Sequence, residues 1–167
     1  MLDRSSRYDR RGQFAAIAVA LAVCVLAAVL EAALSGTNVE AYLASLAMPP
    51  FSPPLWAWLA IGAVYYLICF IVLYRVIRHG QTSGWRTSSL ALVMVLMVAN
   101  AAWNWTFFGI QDPFVSLLVL GPYNAVVVAL LFTVSRVDRV AMSALLPYAV
   151  YLIYADYWSH GVWRLNP

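Results

Sequence analysis

Asn100 and Asn104 lie four residues apart in the stretch NAAWNWTFFG, Asn100 to Gly109. On a helix that spacing puts both amides on one face, flanked by Trp103 and Phe107. Such a pair could bond a ligand carboxylate or ring nitrogen, or hold a neighbouring helix, and Asn124 could partner either. Asp156 is the acid set deepest in the last apolar segment. Carboxylates in such segments are costly and usually face a cavity or a partner. Asp156 is therefore a candidate to orient a cationic or hydroxylated ligand, or to act as a general acid; the alternative is contact with water at the nearby helix end. Tyr65, Tyr66, Tyr148 and Tyr151 sit toward the interiors of apolar segments, where rings can stack on a flat conjugated molecule. Glu31, close to the end of its own run, reads as solvated. His160 has no second ligand or attachment motif beside it, so it reads as a solvated side chain rather than a haem ligand. No metal cluster, phosphate loop or nucleophile–base constellation is legible.

The elements that must position these residues follow from composition. The 167 residues are 64% hydrophobic and only 10% charged, with a mean hydropathy of +0.80. Soluble domains carry about a quarter charged residues, so the chain reads as an all-α integral membrane protein. Cys24 and Cys69 lie inside apolar runs and suggest buried thiols, with no disulfide framework. The net charge of +3 comes from arginines beside apolar segments, which is no nucleic-acid signal.

Five segments match the roughly 20 helical residues that cross a hydrocarbon layer: 13–34, 54–74, 88–108, 113–135 and 141–161. A polar tail, 1–12, precedes them. Pro53 and Pro54 open the second span, where a missing N–H is harmless. Gly80, Ser83 and Gly84 break the second from the third, and Gly121 with Pro122 should kink the fourth. Arg4, Arg7, Arg10, Arg11, Arg75, Arg78, Arg86, Arg136 and Arg139 fall on one side and Arg164 on the other. The positive-inside rule then places the N-terminus in the cytoplasm and the C-terminus outside an inner membrane. The outer loop, 35–53, is too apolar for a free linker and is expected to fold over the bundle as a lid. Ala16/Ala20, Ala18/Ala22 and Ala28/Ala32 are small-residue pairs that permit close helix approach, within the chain or in a homodimer. Most other tryptophans and tyrosines suit a membrane-interface belt.

The stretches MPPFSPPLWAWLAIGAVYY (Met48–Tyr66), NAAWNWTFFG and LPYAVYLIYADYWSHGVWRLN (Leu146–Asn166) resemble the tryptophan-rich sensory protein/translocator protein family, TspO/MBR. The matching residues are Pro53, Pro54 and Tyr66; Asn100, Trp103, Phe107, Phe108 and Gly109; Pro147 and Tyr148; and Arg164 and Asn166. The resemblance covers most of Gln13–Asn166. It implies a five-helix bundle, often dimeric, whose pocket below the first loop takes porphyrins and related tetrapyrroles, sterols or other hydrophobic ligands. Some bacterial members are reported to degrade protoporphyrin in light, a step linked to two tryptophans. This divergent sequence has Gly62 and Tyr151 at those positions, and His160 and Gly161 where the sterol-associated pattern has tyrosines.

The sequence thus predicts a five-span transmembrane bundle that binds a hydrophobic planar or polyene ligand, porphyrin-like or haem-like, with membrane lipid around it and no bound metal. The expected ligand-binding set is Phe51, Trp58, Tyr65, Tyr66, Asn100, Trp103, Asn104, Phe107, Asn124, Tyr148, Tyr151 and Asp156. Sensing, regulation or transport of tetrapyrroles is the first reading. A membrane enzyme acting on a porphyrin or isoprenoid, with Asp156 as acid, is the second, and an assembly subunit the third.

Overall fold

The computed structural model describes residues 3–79 and 82–167, with side chains from residue 10 onward. Six helices follow one another: α1 (Asp3–Ser35), α2 (Val39–Ser45), α3 (Leu55–His79), α4 (Gly84–Asn104), α5 (Pro113–Ser135) and α6 (Arg139–Leu165). All but α2 are long and apolar enough to cross a membrane. Neighbour contacts close them into a ring in the order α1, α3, α6, α5, α4, with α3 also touching α4. The chain is an integral membrane protein, and its outward faces agree: Leu26, Leu59, Val128 and Ile153 are each about two-thirds exposed or more. Faces of that kind suit acyl chains and would be a liability in water.

Local chemistry sets the helix ends. Gly36 takes a φ of +72° just past α1, a left-handed conformation that glycine adopts at low cost. Arg86 donates from its guanidinium to the carbonyls of Val76 and Ile77, satisfying acceptors near the end of α3. The Ser83 hydroxyl accepts from Arg86 N–H and starts α4. Asp112 accepts from the backbone N–H groups of Phe114 and Val115, both at 2.9 Å, with Pro113 as the first helical residue of α5. Asp138 caps α6 through Ala141 N–H at 2.7 Å. It also takes a two-pronged bond from Arg75 at 2.9 and 2.8 Å, tying the end of α3 to the start of α6.

Several elements differ from the sequence expectation. Helix α1 runs back to Asp3, through most of the segment read as a polar tail. The side chains of Arg4 and Arg7, and Gly80, lie outside the described residues. Helix α3 carries Arg75 and Arg78 on its own last turns. The third span changes pitch: after Asn104 it continues as a π-helical turn, Trp105–Gly109, closed by Ile110 N–H on Trp105 O at 2.8 Å. Helix α5 is continuous through Pro122. In α1, Ala16 and Ala20 pack inside the chain, whereas Ala18 and Ala22 are exposed.

The main core is Val72, Val76, Val93, Leu96, Leu130, Val134 and Leu145 with their neighbours, in the half of the bundle away from α2. The other half is built differently, from rings.

Candidate functional site

Between α1, α3, α4 and α6, in the half of the bundle beside α2, lies a cavity of about 290 Å³. Helix α3 contributes one stripe to its wall: Leu55, Trp58, Leu59, Ile61, Gly62 and Tyr65. These follow helical spacing, so one face of α3 looks inward. Helix α4 contributes Asn100, Trp103 and Asn104, and the π turn adds Phe108. Tyr148, Tyr151 and Trp158 come from α6, and Glu31 and Ser35 from α1. Val39 and Leu43 of α2 close the top. A second space of about 260 Å³ adjoins it, sharing Leu43, Leu55 and Trp58 and continuing under Met48, Ser52 and Pro53.

The segment over this cavity is held from α6. Trp158 Nε1 donates to Ser52 Oγ at 2.9 Å, and Tyr154 donates to the carbonyl of Phe51 at 3.1 Å. Asn166 bonds Ala47 in both directions. Tyr42 is buried with its ring edge-on to Phe107, centroids 5.6 Å apart. Gly161 lets the loop approach: a Cβ there would come within 2.9 Å of Pro49 Cγ.

At the cavity's side wall a hydrogen-bonded chain joins all five long helices. Tyr66 of α3 donates to Glu31 Oε2 of α1 at 2.6 Å, and Asn100 Nδ2 of α4 donates to the same oxygen at 2.6 Å. Asn100 Oδ1 accepts from the Tyr123 hydroxyl of α5 at 3.2 Å. Tyr123 in turn shares a hydrogen bond with Tyr148 of α6. In hydrocarbon no water can replace these partners, so the chain fixes the rotation of each helix about its axis. Interhelical bonds of this type are worth about 0.6 kcal/mol each.

The structure brings together seven residues of the sequence-predicted set: Trp58, Tyr65, Asn100, Trp103, Asn104, Tyr148 and Tyr151 all line the cavity. The amide pair is not symmetric. Asn104 Nδ2 donates back to the Asn100 carbonyl at 3.0 Å, leaving Asn100 to serve the interhelical chain.

Five predicted residues are elsewhere. Phe107 is fully buried one layer below the wall, stacked on Trp103 and edge-on to Trp158. Tyr66 turns to Glu31 instead of the cavity. Phe51 lies on the outer face of the loop, stacked on Tyr157 at 5.0 Å. Asn124 and Asp156 bind each other, with Nδ2 3.0 and 2.9 Å from the two carboxylate oxygens, and neither lines the cavity. Asp156 is thus engaged between α5 and α6, away from a substrate held in the cavity. Gly121 and Pro122 are likewise exposed and away from the cavity.

Glu31 is the residue that sequence reasoning misplaced. Its closeness to the end of its run suggested water, but the residue is only partly exposed and its carboxylate meets Tyr66 of α3 and Asn100 of α4. A lone acid in the run Ala27–Leu34 was the available signal. Among the described residues no group of three or more His, Cys, Asp or Glu gathers into a metal site.

Comparison with known proteins agrees with this architecture. Residues 19–164 match the sequence pattern described as the TspO/MBR family. The chain is similar to the Tryptophan-rich protein TspO of Chlorobaculum tepidum, 21% identical over 155 residues, covering 93% of this chain and 98% of that one. A protein of the same name in Archaeoglobus fulgidus is 25% identical over 129 residues, covering 77% of this chain and 82% of its own length. Protein CrtK of Rhodobacter capsulatus is 28% identical over 127 residues, covering 76% and 79% respectively.

Proposed function

Because the chain belongs to the TspO/MBR family, we propose that it binds a conjugated, lipid-soluble ligand of the porphyrin or tetrapyrrole kind in the cavity beneath α2, serving in sensing, regulation or transport. One observation carries this reading: seven aromatic side chains, Trp58, Tyr65, Trp103, Phe108, Tyr148, Tyr151 and Trp158, surround one space with few polar groups among them. Small-molecule pockets have that character, mostly apolar walls with a few placed polar atoms, over about 300–1,000 Å³. The cavity is at the small end of this range, and the adjoining space under Met48 and Pro53 lengthens it.

Access is from the side. Leu55 and Leu59 belong to the cavity wall and are 38% and 70% exposed, on a face that lipid would cover. A ligand dissolved in the bilayer therefore needs no aqueous route. The arginine distribution supports an inner membrane with the N-terminus in the cytoplasm, which puts the cavity in the outer leaflet.

The test is a titration of the purified protein in detergent with protoporphyrin IX, following tryptophan fluorescence. Trp58, Trp103 and Trp158 line the site, so saturable quenching at one ligand per chain is expected. Quenching that rises linearly, as for free tryptophan in the same micelles, overturns the reading. Conversion of the bound porphyrin to a new product would overturn its non-catalytic part.

A further inference from the structure

We propose that Glu31 is the head-group site of this cavity: a conjugated ligand lies along the ring-lined wall, and a hydroxyl or ammonium at its end donates a hydrogen bond to Glu31 Oε1. The proposal rests on the binding function above and adds the chemistry of the ligand's polar end.

The argument starts from the asymmetry of the carboxylate. Both protein donors, Tyr66 Oη and Asn100 Nδ2, converge on Oε2 at 2.6 Å. Both donors thus use Oε2 and leave the capacity of Oε1 to a third group. Asn100 spans the two groups, with Nδ2 on Glu31 and Oδ1 accepting from Tyr123. Among the described residues Oε1 has no partner, and it is not among the buried atoms sealed from contact. Glu31 itself lines the cavity. An accessible, unpartnered carboxylate oxygen at the edge of an apolar space has capacity for a donor.

The same geometry rejects other ends. A carbonyl or ether offers only lone pairs and would leave Oε1 facing another acceptor. A carboxylate would set two negative charges side by side where little water screens them, so a porphyrin seated here keeps its propionates away from Glu31. Selectivity then comes from repulsion as much as from the bond formed.

Glu31→Gln inverts this preference. The amide oxygen must occupy the place of Oε2, since Tyr66 and Asn100 both donate there and an NH2 in that place would meet two donors. The side-chain NH2 is thereby turned to the cavity, replacing an acceptor with a donor.

A matched series of polyenes that differ only at one end reads this directly: all-trans retinol, retinylamine, retinal and retinoic acid, each titrated by tryptophan quenching, with protoporphyrin IX as the reference ligand. For the natural chain, retinol and retinylamine should bind about tenfold tighter than retinal and retinoic acid, the value of one charge-assisted bond. In Glu31→Gln the order should reverse, with retinal now about tenfold tighter than retinylamine. Thermal stability of that variant should stay close to the parent, because every helix-joining bond is kept. Equal affinities across the series, or the same order in both proteins, overturn the head-group assignment while saturable protoporphyrin binding keeps the cavity reading standing. Retinoids that fail to bind where protoporphyrin does also overturn it. Loss of saturable binding for all five ligands removes both.

Discussion

Asn166 grips the backbone of Ala47 from both sides: Ala47 N–H donates to Asn166 Oδ1 at 2.9 Å, and Asn166 Nδ2 donates to the Ala47 carbonyl at 3.0 Å. An amide side chain here imitates a strand partner, fastening the segment after α2 to the last turn of α6. The two residues are 119 positions apart in the chain. Asn166→Ala removes both bonds, together worth about 1–2 kcal/mol, and so should raise the open fraction of the lid roughly 5–30-fold. Amide hydrogen exchange at Ala47 and neighbouring residues should speed by that factor, with ligand release faster to match. The melting temperature should barely move, since the long helices are untouched. Unchanged exchange at Ala47 would show that Trp158 and Tyr154 hold the lid without this clamp.

Gly109 marks where α1 and the π turn touch. A Cβ there would lie 2.5 Å from the Leu34 carbonyl and 2.8 Å from Trp105 Cδ1. The first is backbone and cannot rotate away, so Gly109→Ala must push α1 off the bundle. Overpacking of this kind costs about 1–3 kcal/mol. The measurable outcome is a lower melting temperature in detergent, together with weaker ligand binding, because Glu31 travels with α1. A variant as stable as the parent would mean that the two helices separate freely.

How much of this was legible beforehand depends on the range of the forces involved. The five spans follow from composition, since apolar runs of that length have few soluble alternatives. Trp58, Tyr65, Asn100, Trp103, Asn104, Tyr148 and Tyr151 were legible as a set because interior rings and amides must turn from lipid. Their shared cavity depends on helix order, which one sequence does not encode locally. Glu31 was misread because its partners, Tyr66 and Asn100, come from other helices, 35 and 69 positions away. Phe107 was chosen where Phe108 lines the cavity, because an α-helical wheel does not foresee the extra residue per turn of Trp105–Gly109. The pair Asn124–Asp156 shows the same limit: two costly polar groups met each other instead of a ligand.

Gly62 leaves room in the cavity wall. A Cβ at this position meets nothing within 4 Å, although the residue faces the cavity between Trp58 and Tyr65. Gly62→Phe should therefore put a ring into this space, and its helix gains by losing a glycine, worth about 0.5 kcal/mol. Stability should hold or rise while protoporphyrin affinity falls at least about tenfold. Retained binding in a stable Gly62→Phe protein would place the ligand elsewhere.

The end of the bundle away from α2 supplies a pH prediction. Asp138 bonds the Arg75 guanidinium, and that pairing, aided by Ala141 N–H, holds its carboxyl below the usual carboxylate range. A folded-state pKa below the unfolded value of about 3.9 means that the stabilisation is complete above that value. It is lost as pH falls toward the depressed folded-state pKa, where Asp138 is protonated in both states. Asp138→Asn isolates the charge, because asparagine is also a good N-cap and can keep the Ala141 bond. At pH 7 the variant should be less stable by about 1 kcal/mol, the upper range for an ion pair that is not fully buried. The gap between the two melting temperatures should stay constant from pH 7 to about 5 and then narrow toward pH 3. A gap that persists at pH 3 would mean that the cap or local packing, and not the Arg75–Asp138 charge pair, joins α3 to α6.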